Sequence, residues 1–256
     1  MKGKNLIAGI LILLSLWALT AWFIFASGLL NGNEPTTPLT VAAERGDAEQ
    51  VRKLIATGAD LNERDESGYT ALVWAARNGS TQVAKALIEA QADMNARDCA
   101  ANGWTPLMHA IHKNNNEMAR LLIDRGADVN ARAGKCTEKL IEDGAPALHH
   151  AAGEDNTEIV RALLAKGADP YAEYDSANAL SKAVGGALDL SRPDDKQCPT
   201  ETVKALLAHA PDLNIKRTIW DRKSVFVARH KGCAELVDLL DQRRSALAAK
   251  ATANDQ

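Results

Sequence analysis

Two histidine pairs are the residues best suited to chemistry in this chain: His149-His150, adjacent, and His109 with His112, one helical turn apart. Imidazole titrates near neutral pH and ligates metals, so such pairs invite acid–base or metal readings. Four cysteines, Cys99, Cys136, Cys198 and Cys233, add thiols that could ligate or pair. Neither set has the surroundings its chemistry needs. No nucleophile elbow, phosphate loop or paired-carboxylate motif accompanies the histidines. The cysteines show no C-x-x-C spacing and no neighbouring histidine set, which argues against zinc. The sequence therefore assigns no catalytic residue, no metal and no cofactor. Glu63-Arg64-Asp65-Glu66 alternates in sign and reads as a solvated loop tip. Asn78-Gly79-Ser80 matches a glycosylation sequon, but its glycine falls where the chain has to turn. The enzymatic alternative uses His149, His150 or the inserted loops, and it requires a pocket with converging titratable groups.

The elements that position these residues recur. From Asp98 to Arg132 the chain spells one helix–turn–helix unit. Thr105-Pro106 starts the first helix, a hydroxyl to cap and a proline that lacks an N–H. Leu107, Ala110 and Ile111 give it an apolar stripe. Asn114 reverses the chain in a left-handed conformation. Met118, Leu121 and Leu122 mark the second helix, and Gly126 closes it. Helices this short do not persist alone, so the unit needs copies beside it.

Three anchors locate the copies. Second helices end at Gly58-Ala59-Asp60, Gln91-Ala92-Asp93, Gly126-Ala127-Asp128, Gly167-Ala168-Asp169 and a degenerate Ala210-Pro211-Asp212. First helices start at Pro38-Leu39, Ala71-Leu72, Pro106-Leu107, Ala147-Leu148, Ala179-Leu180 and Ser224-Val225. Turns follow at Gly46, Gly79, Asn114, Asp155 and Gly232. The period near 33 and the phrases Gly68-Tyr-Thr-Ala-Leu-Val-Trp-Ala-Ala76 and Gly103-Trp-Thr-Pro-Leu107 strongly resemble the ankyrin repeat family. The resemblance implies an all-α solenoid of about six helix–turn–helix repeats joined by β-hairpin loops, spanning 38–240. Insertions lengthen the loops around Cys99, over Ala133–Gly144, and over 185–195 in the most divergent, fifth repeat.

The totals bound the function. Aromatic residues make up only 4%, which suits short helices packed closely. The basic residues form no stripe, and the chain after position 30 carries 28 basic against 33 acidic residues, so nucleic acid is not an expected partner. Leu6–Leu30 is an uncharged, mostly apolar run behind Lys2 and Lys4. It is long enough for a transmembrane helix and longer than the apolar core of a signal peptide. Residues 1–30 are therefore expected to form an uncleaved signal anchor, 31–37 a linker, and 241–256 a tail that extends the last helix or frays. The leading lysines put the N-terminus in the cytoplasm and the repeats outside. With an alanine-rich composition, the expected setting is a bacterial inner membrane with the repeats in the periplasm.

On the repeat frame, Cys99 pairs by position with Cys136, and Cys198 with Cys233, because neighbouring repeats stack like beside like. The alternative is four unrelated small core residues; an exported topology favours bridges. The resemblance also implies a partner-binding groove formed by first helices and loop tips. Its ladder here is Trp74, His109 and His150, with Tyr69 and Trp104 at the tips. Tyr69 and Trp104 are expected to be exposed, while Trp74 either packs or faces the groove. His149 sits at the family's consensus histidine and is expected to serve loop hydrogen bonding. Together these features imply a non-enzymatic, membrane-anchored module that binds a protein partner. By resemblance to exported bacterial ankyrin proteins, that partner is an envelope or oxidative-stress enzyme, or a toxin to be neutralised.

Overall fold

Reversal of the chain after each first helix uses one hydrogen bond, repeated down the molecule. In the computed structural model, which describes residues 37–99, 103–134, 144–186, 198–213, 226 and 228–254, this bond closes five turns. Asp47, Ser80, Asn115, Asn156 and Cys233 each donate a backbone N–H to the carbonyl five residues back, at 2.9–3.0 Å. The preceding residue is left-handed each time, including Asn114 and Asp155 at φ 52° and 53°. Asn and Asp tolerate that conformation better than other side chains, which is why the turn survives without glycine there.

The helices come in pairs. They are α1 (Pro38–Glu44) and α2 (Ala48–Ala56), α3 (Ala71–Asn78) and α4 (Thr81–Glu89), α5 (Pro106–His112) and α6 (Asn116–Asp124), then α7 (Ala147–Gly153) and α8 (Thr157–Ala165). α9 (Ala179–Gly186), α10 (Thr200–His209) and α11 (Ala234–Asn254) follow. First helices stack in the order α1, α3, α5, α7, α9, and the second helices α6, α8, α10 stack likewise. Thr37, Thr70 and Thr105 cap α1, α3 and α5 through their hydroxyls. Pro146 replaces the threonine before α7 and offers no side-chain cap. Asn178 restores one for α9, accepting from Ser181 N–H at 2.9 Å. Each helix buries one face in a shared core of leucine, alanine, valine and isoleucine, and the apolar stripe runs unbroken from Leu39 to Leu240. α11 continues through the tail to Asn254.

A second ladder holds the repeats in register on the side of the loops. Asn62 Oδ1 accepts from Asp93 N–H at 2.8 Å, Asn95 from Asp128 and Asn130 from Asp169, both at 2.9 Å. Each aspartate in turn accepts the N–H two residues on, so side chain and backbone are locked together. At the next step the asparagine is replaced by Tyr171, which is 51% exposed. Beyond that break, Cys198 and Cys233 form a disulfide at a Cα–Cα distance of 5.6 Å, one at the start of each neighbouring second helix. Cys99 is also disulfide-bonded; Cys136, its expected partner, lies outside the described residues.

The loops differ from the hairpins the resemblance implied. Among the described residues there is no strand, only isolated bridges at Arg132–Pro146 and Tyr174–Ala177. The reason is that the fingers at Asp65 and Asp98 close around a carboxylate instead of a ladder. Asp65 N–H donates to Tyr69 O, and Asp65 Oδ1 accepts from Tyr69 N–H. Asp98 does the same with Trp104 and also accepts from Gly103 N–H. Fingers then bond to one another, Cys99 N–H to Gly68 O and Gly134 N–H to Gly103 O. A Cβ on Gly103 would lie 1.5 Å from Gly134 O, so the approach of these two fingers requires glycine. No described helix is long and apolar enough to cross a membrane; the expected span Leu6–Leu30 lies outside the described residues, as do most of the insertions Ala133–Gly144 and 185–195.

Candidate functional site

Fingers and first helices meet along a row of rings. Tyr69 packs edge-on against Trp74, with centroids 5.2 Å apart, and against His109 at 6.0 Å. Trp104 contacts His109, His112 and His150 at 5.3, 4.9 and 5.1 Å, all edge-to-face. The structure thus brings together all five expected groove residues, Tyr69, Trp74, Trp104, His109 and His150, across three consecutive repeats. Edge-to-face pairs place ring hydrogens against the electron-rich face of a neighbour, so each contact adds attraction beyond burial.

The expected exposure of Tyr69 and Trp104 is corrected: both are half-buried because each finger tip folds down onto the ladder. Trp74 packs, with 8% of its surface exposed. Its indole N–H donates to Asp65 Oδ2 at 2.6 Å. One repeat later His109, 6% exposed, stands 2.7 Å from Asp98 Oδ2. Asp65 and Asp98 are therefore buried partners of the ladder, and the reading of Asp65 as a solvated tip is corrected. An aspartate three residues before Gly68 and five before Gly103 was the available signal, hidden because the neighbours of Asp65, namely Glu63, Arg64 and Glu66, are exposed.

Electrostatics follow from these partners. Burial alone would raise the carboxyl of Asp98; the His109 imidazole and the N–H groups of Trp104 and Gly103 more than offset it and hold the pKa below its ordinary value. Among the described residues no carboxylate is hydrogen-bonded to His149 or His150. Burial pushes both down to about 4, so both are neutral at pH 7. His149 Nε2 donates to Ala177 O at 3.1 Å in the next finger, leaving Nδ1 bare. His149 thus tethers a finger. At the finger position of Asp65 and Asp98, the fourth repeat carries Ala133, and His150 Nε2 is buried with no partner among the described residues.

Cations flank the row. Arg77 donates to Tyr69 Oη at 3.0 Å and lies over the rings of Tyr69 and Trp74. Lys182, at the ladder position of the fifth repeat, lies 5.6 Å over Tyr174. The second helices are different in character, with ion pairs running between repeats: Arg120–Glu158, Arg161–Glu201 and Lys204–Glu235. A shallow cavity of about 310 Å³ between α8 and α10 is lined by Leu164, Ala165, Ala205 and Ala208, with Arg161 and His209. It includes neither His149 nor His150. Among the described residues, no three His, Cys, Asp or Glu side chains converge as a metal site would require.

A model of ankyrin repeats in three copies matches residues 18–98, 39–133 and 98–174, together more than half of the chain. The chain belongs to the ankyrin repeat family. No curated protein matches it. The ankyrin matches contain every residue of the ring row and end at Tyr174, where the Asn ladder has already stopped. As an ankyrin repeat protein the chain is a protein–protein interaction module.

Proposed function

We propose that this ankyrin protein is a non-enzymatic, membrane-anchored adaptor that binds one dedicated partner protein on the far side of a bacterial inner membrane. The observation that carries the binding reading is the continuous ring row from Tyr69 to His150. It presents half-buried aromatic area already held in place by neighbours, and rigid aromatic anchors lose little entropy on docking. Anchoring is supported by the uncharged run Leu6–Leu30 with lysines only on its leading side. The Cys198–Cys233 bridge fits an oxidising compartment such as the periplasm. A partner from the envelope, an enzyme that needs support or a toxin that needs neutralising, fits that location.

A single strain tests both halves. A photo-crosslinking side chain at position 104 should capture a discrete protein in intact envelopes, and the same substitution at Lys53 on α2 should not. An export-dependent reporter fused after Gln256 should be active. Activity of a cytoplasm-only reporter would overturn the anchored, exported reading, and equal capture from positions 53 and 104 would overturn the groove.

A further inference from the structure

Cys198 and Cys233 are unequal halves of their bridge. Cys233 is 3% exposed, whereas Cys198 is half-buried. Cys233 is also the N-cap of α11, because its carbonyl accepts the first helical bond, from Val237 N–H at 3.0 Å. The same position carries Asp47, Asn115 and Asn156 in three earlier repeats, and each of those side chains accepts the N–H three residues on. A sulfur freed at that position has helix N–H groups to accept from, and the helix N-terminus favours a negative charge there. Cys198 caps no helix, since Pro199 is the N-cap of α10. The bridge also comes at a particular point in the stack. Earlier repeats are joined through Asn62, Asn95 and Asn130; Tyr171 ends that ladder, and the covalent link between α10 and α11 lies beyond it.

We infer that Cys198–Cys233 is a reversible redox site, opened by a dithiol protein reductant that attacks Cys198 and expels Cys233. A thiolate of the reductant bonds to Cys198 Sγ as the bridge breaks, and the electron pair of that bond goes to Cys233 Sγ at the start of α11. The reductant's second thiolate then bonds to its first sulfur, which releases Cys198 and closes the reductant's own disulfide. Two electrons pass to the chain, and the two protons of the dithiol go to the released sulfurs or to water. Attack in the opposite sense would have to reach the more deeply buried cysteine and expel the one that caps no helix. Opening unfastens α11 from α10 and leaves α1 to α8 as they are, because a repeat in a solenoid is held only by its neighbours. The redox state of the surroundings thereby sets whether the last repeat is locked to the stack. None of this depends on what the ring row binds.

The probe is reduced glutathione, a monothiol whose first product is the mixed disulfide. The full chain in detergent is treated with it under native conditions, quenched with acid and mapped by peptide mass, which separates these two cysteines from Cys99. Glutathione is expected on Cys198 in about tenfold excess over Cys233. Opening should also outrun hydrogen exchange at the most protected amides of α10 and α11, which shows that the folded chain reacts. Oxidised glutathione should then restore both the bridge and the protection of α11. Equal adducts on the two sulfurs, or an excess on Cys233, overturns the proposal. So does opening no faster than exchange of those amides, because a bridge that waits for unfolding is structural only. Both readouts use the unsubstituted chain, so neither is confounded by a variant that fails to fold.

Discussion

His109 Nε2 lies 2.7 Å from Asp98 Oδ2, and both side chains are almost fully buried. One repeat earlier, Trp74 Nε1 makes the equivalent bond to Asp65 Oδ2. Two chemically different donors thus fill one structural position, because what the finger requires is an N–H directed at its carboxylate. Asp98 also accepts two finger N–H groups and Asp65 one, so each carboxylate joins a first helix to its finger.

Removing the acceptor should therefore cost more than a surface charge would. Asp98→Ala leaves the N–H groups of Gly103 and Trp104 and the His109 imidazole without their acceptor, and is expected to destabilise the protein by about 2–4 kcal/mol. The double variant Asp98→Ala/His109→Leu should recover part of that loss. Urea unfolding of the four members of this cycle measures the coupling; strict additivity would show that the pair acts independently.

Acid should weaken the fold through two imidazoles. His149 and His150 titrate near 4 when folded and near 6.5 when unfolded. A depressed histidine pKa means the unfolded chain binds protons first, so stability is full above about 6.5 and falls as pH drops toward 4. Each imidazole should contribute a loss of about 2 kcal/mol by pH 5. Melting curves of His150→Leu between pH 7 and 5 should be flatter than those of the wild type. An unchanged slope would show that His150 is not the titrating group.

Asn95→Ala removes the acceptor for Asp128 N–H and should cost about 1 kcal/mol. Asn130→Ala removes two bonds, since Asn130 also donates to Gly167 O at 3.0 Å, and should cost more. Hydrogen exchange at Asp128 and Asp169 reads each loss locally. Equal, unchanged protection in both variants would show that the ladder reports register without stabilising it.

Reduction should act at the C-terminal end of the stack. The Cys198–Cys233 bridge closes a separation of 35 residues. The chain-entropy model assigns such a loop roughly 3–4 kcal/mol. In Cys198→Ser, exchange should accelerate in α10 and α11 while α3 to α6 keep their protection, as nearest-neighbour stability in a solenoid demands. Uniform acceleration along the chain would contradict that division.

Gly103→Ala should cost more than 1 kcal/mol, because the added methyl meets the backbone carbonyl of Gly134 and no side chain can move aside. Thermal unfolding beside Gly58→Ala, where a Cβ meets nothing within 4 Å, separates the clash from the strain of a left-handed residue.

Helix pairs, turns and second-helix ends were legible in the sequence because each depends on a local rule. A left-handed residue at Asn114 or Gly126, a threonine before Pro106 and a stripe at helical spacing need no distant partner to be read. The pairing of Cys198 with Cys233 needed only the repeat frame, since stacking puts position beside position. What only the tertiary structure decided is the fate of polar groups whose partner lies a repeat or a finger away. Asp65 stands among exposed charges in sequence and beside an indole in space. Asn62, Asn95 and Asn130 look like ordinary turn residues until the neighbouring aspartate N–H is seen against each one. Tyr69 and Trp104 look exposed on a loop tip, and the carboxylate that folds each finger brings them down onto the rings of the next repeat. Local propensity is written in nearest neighbours along the chain, whereas the pairing of a buried donor with its acceptor is settled by which repeats stack and how closely.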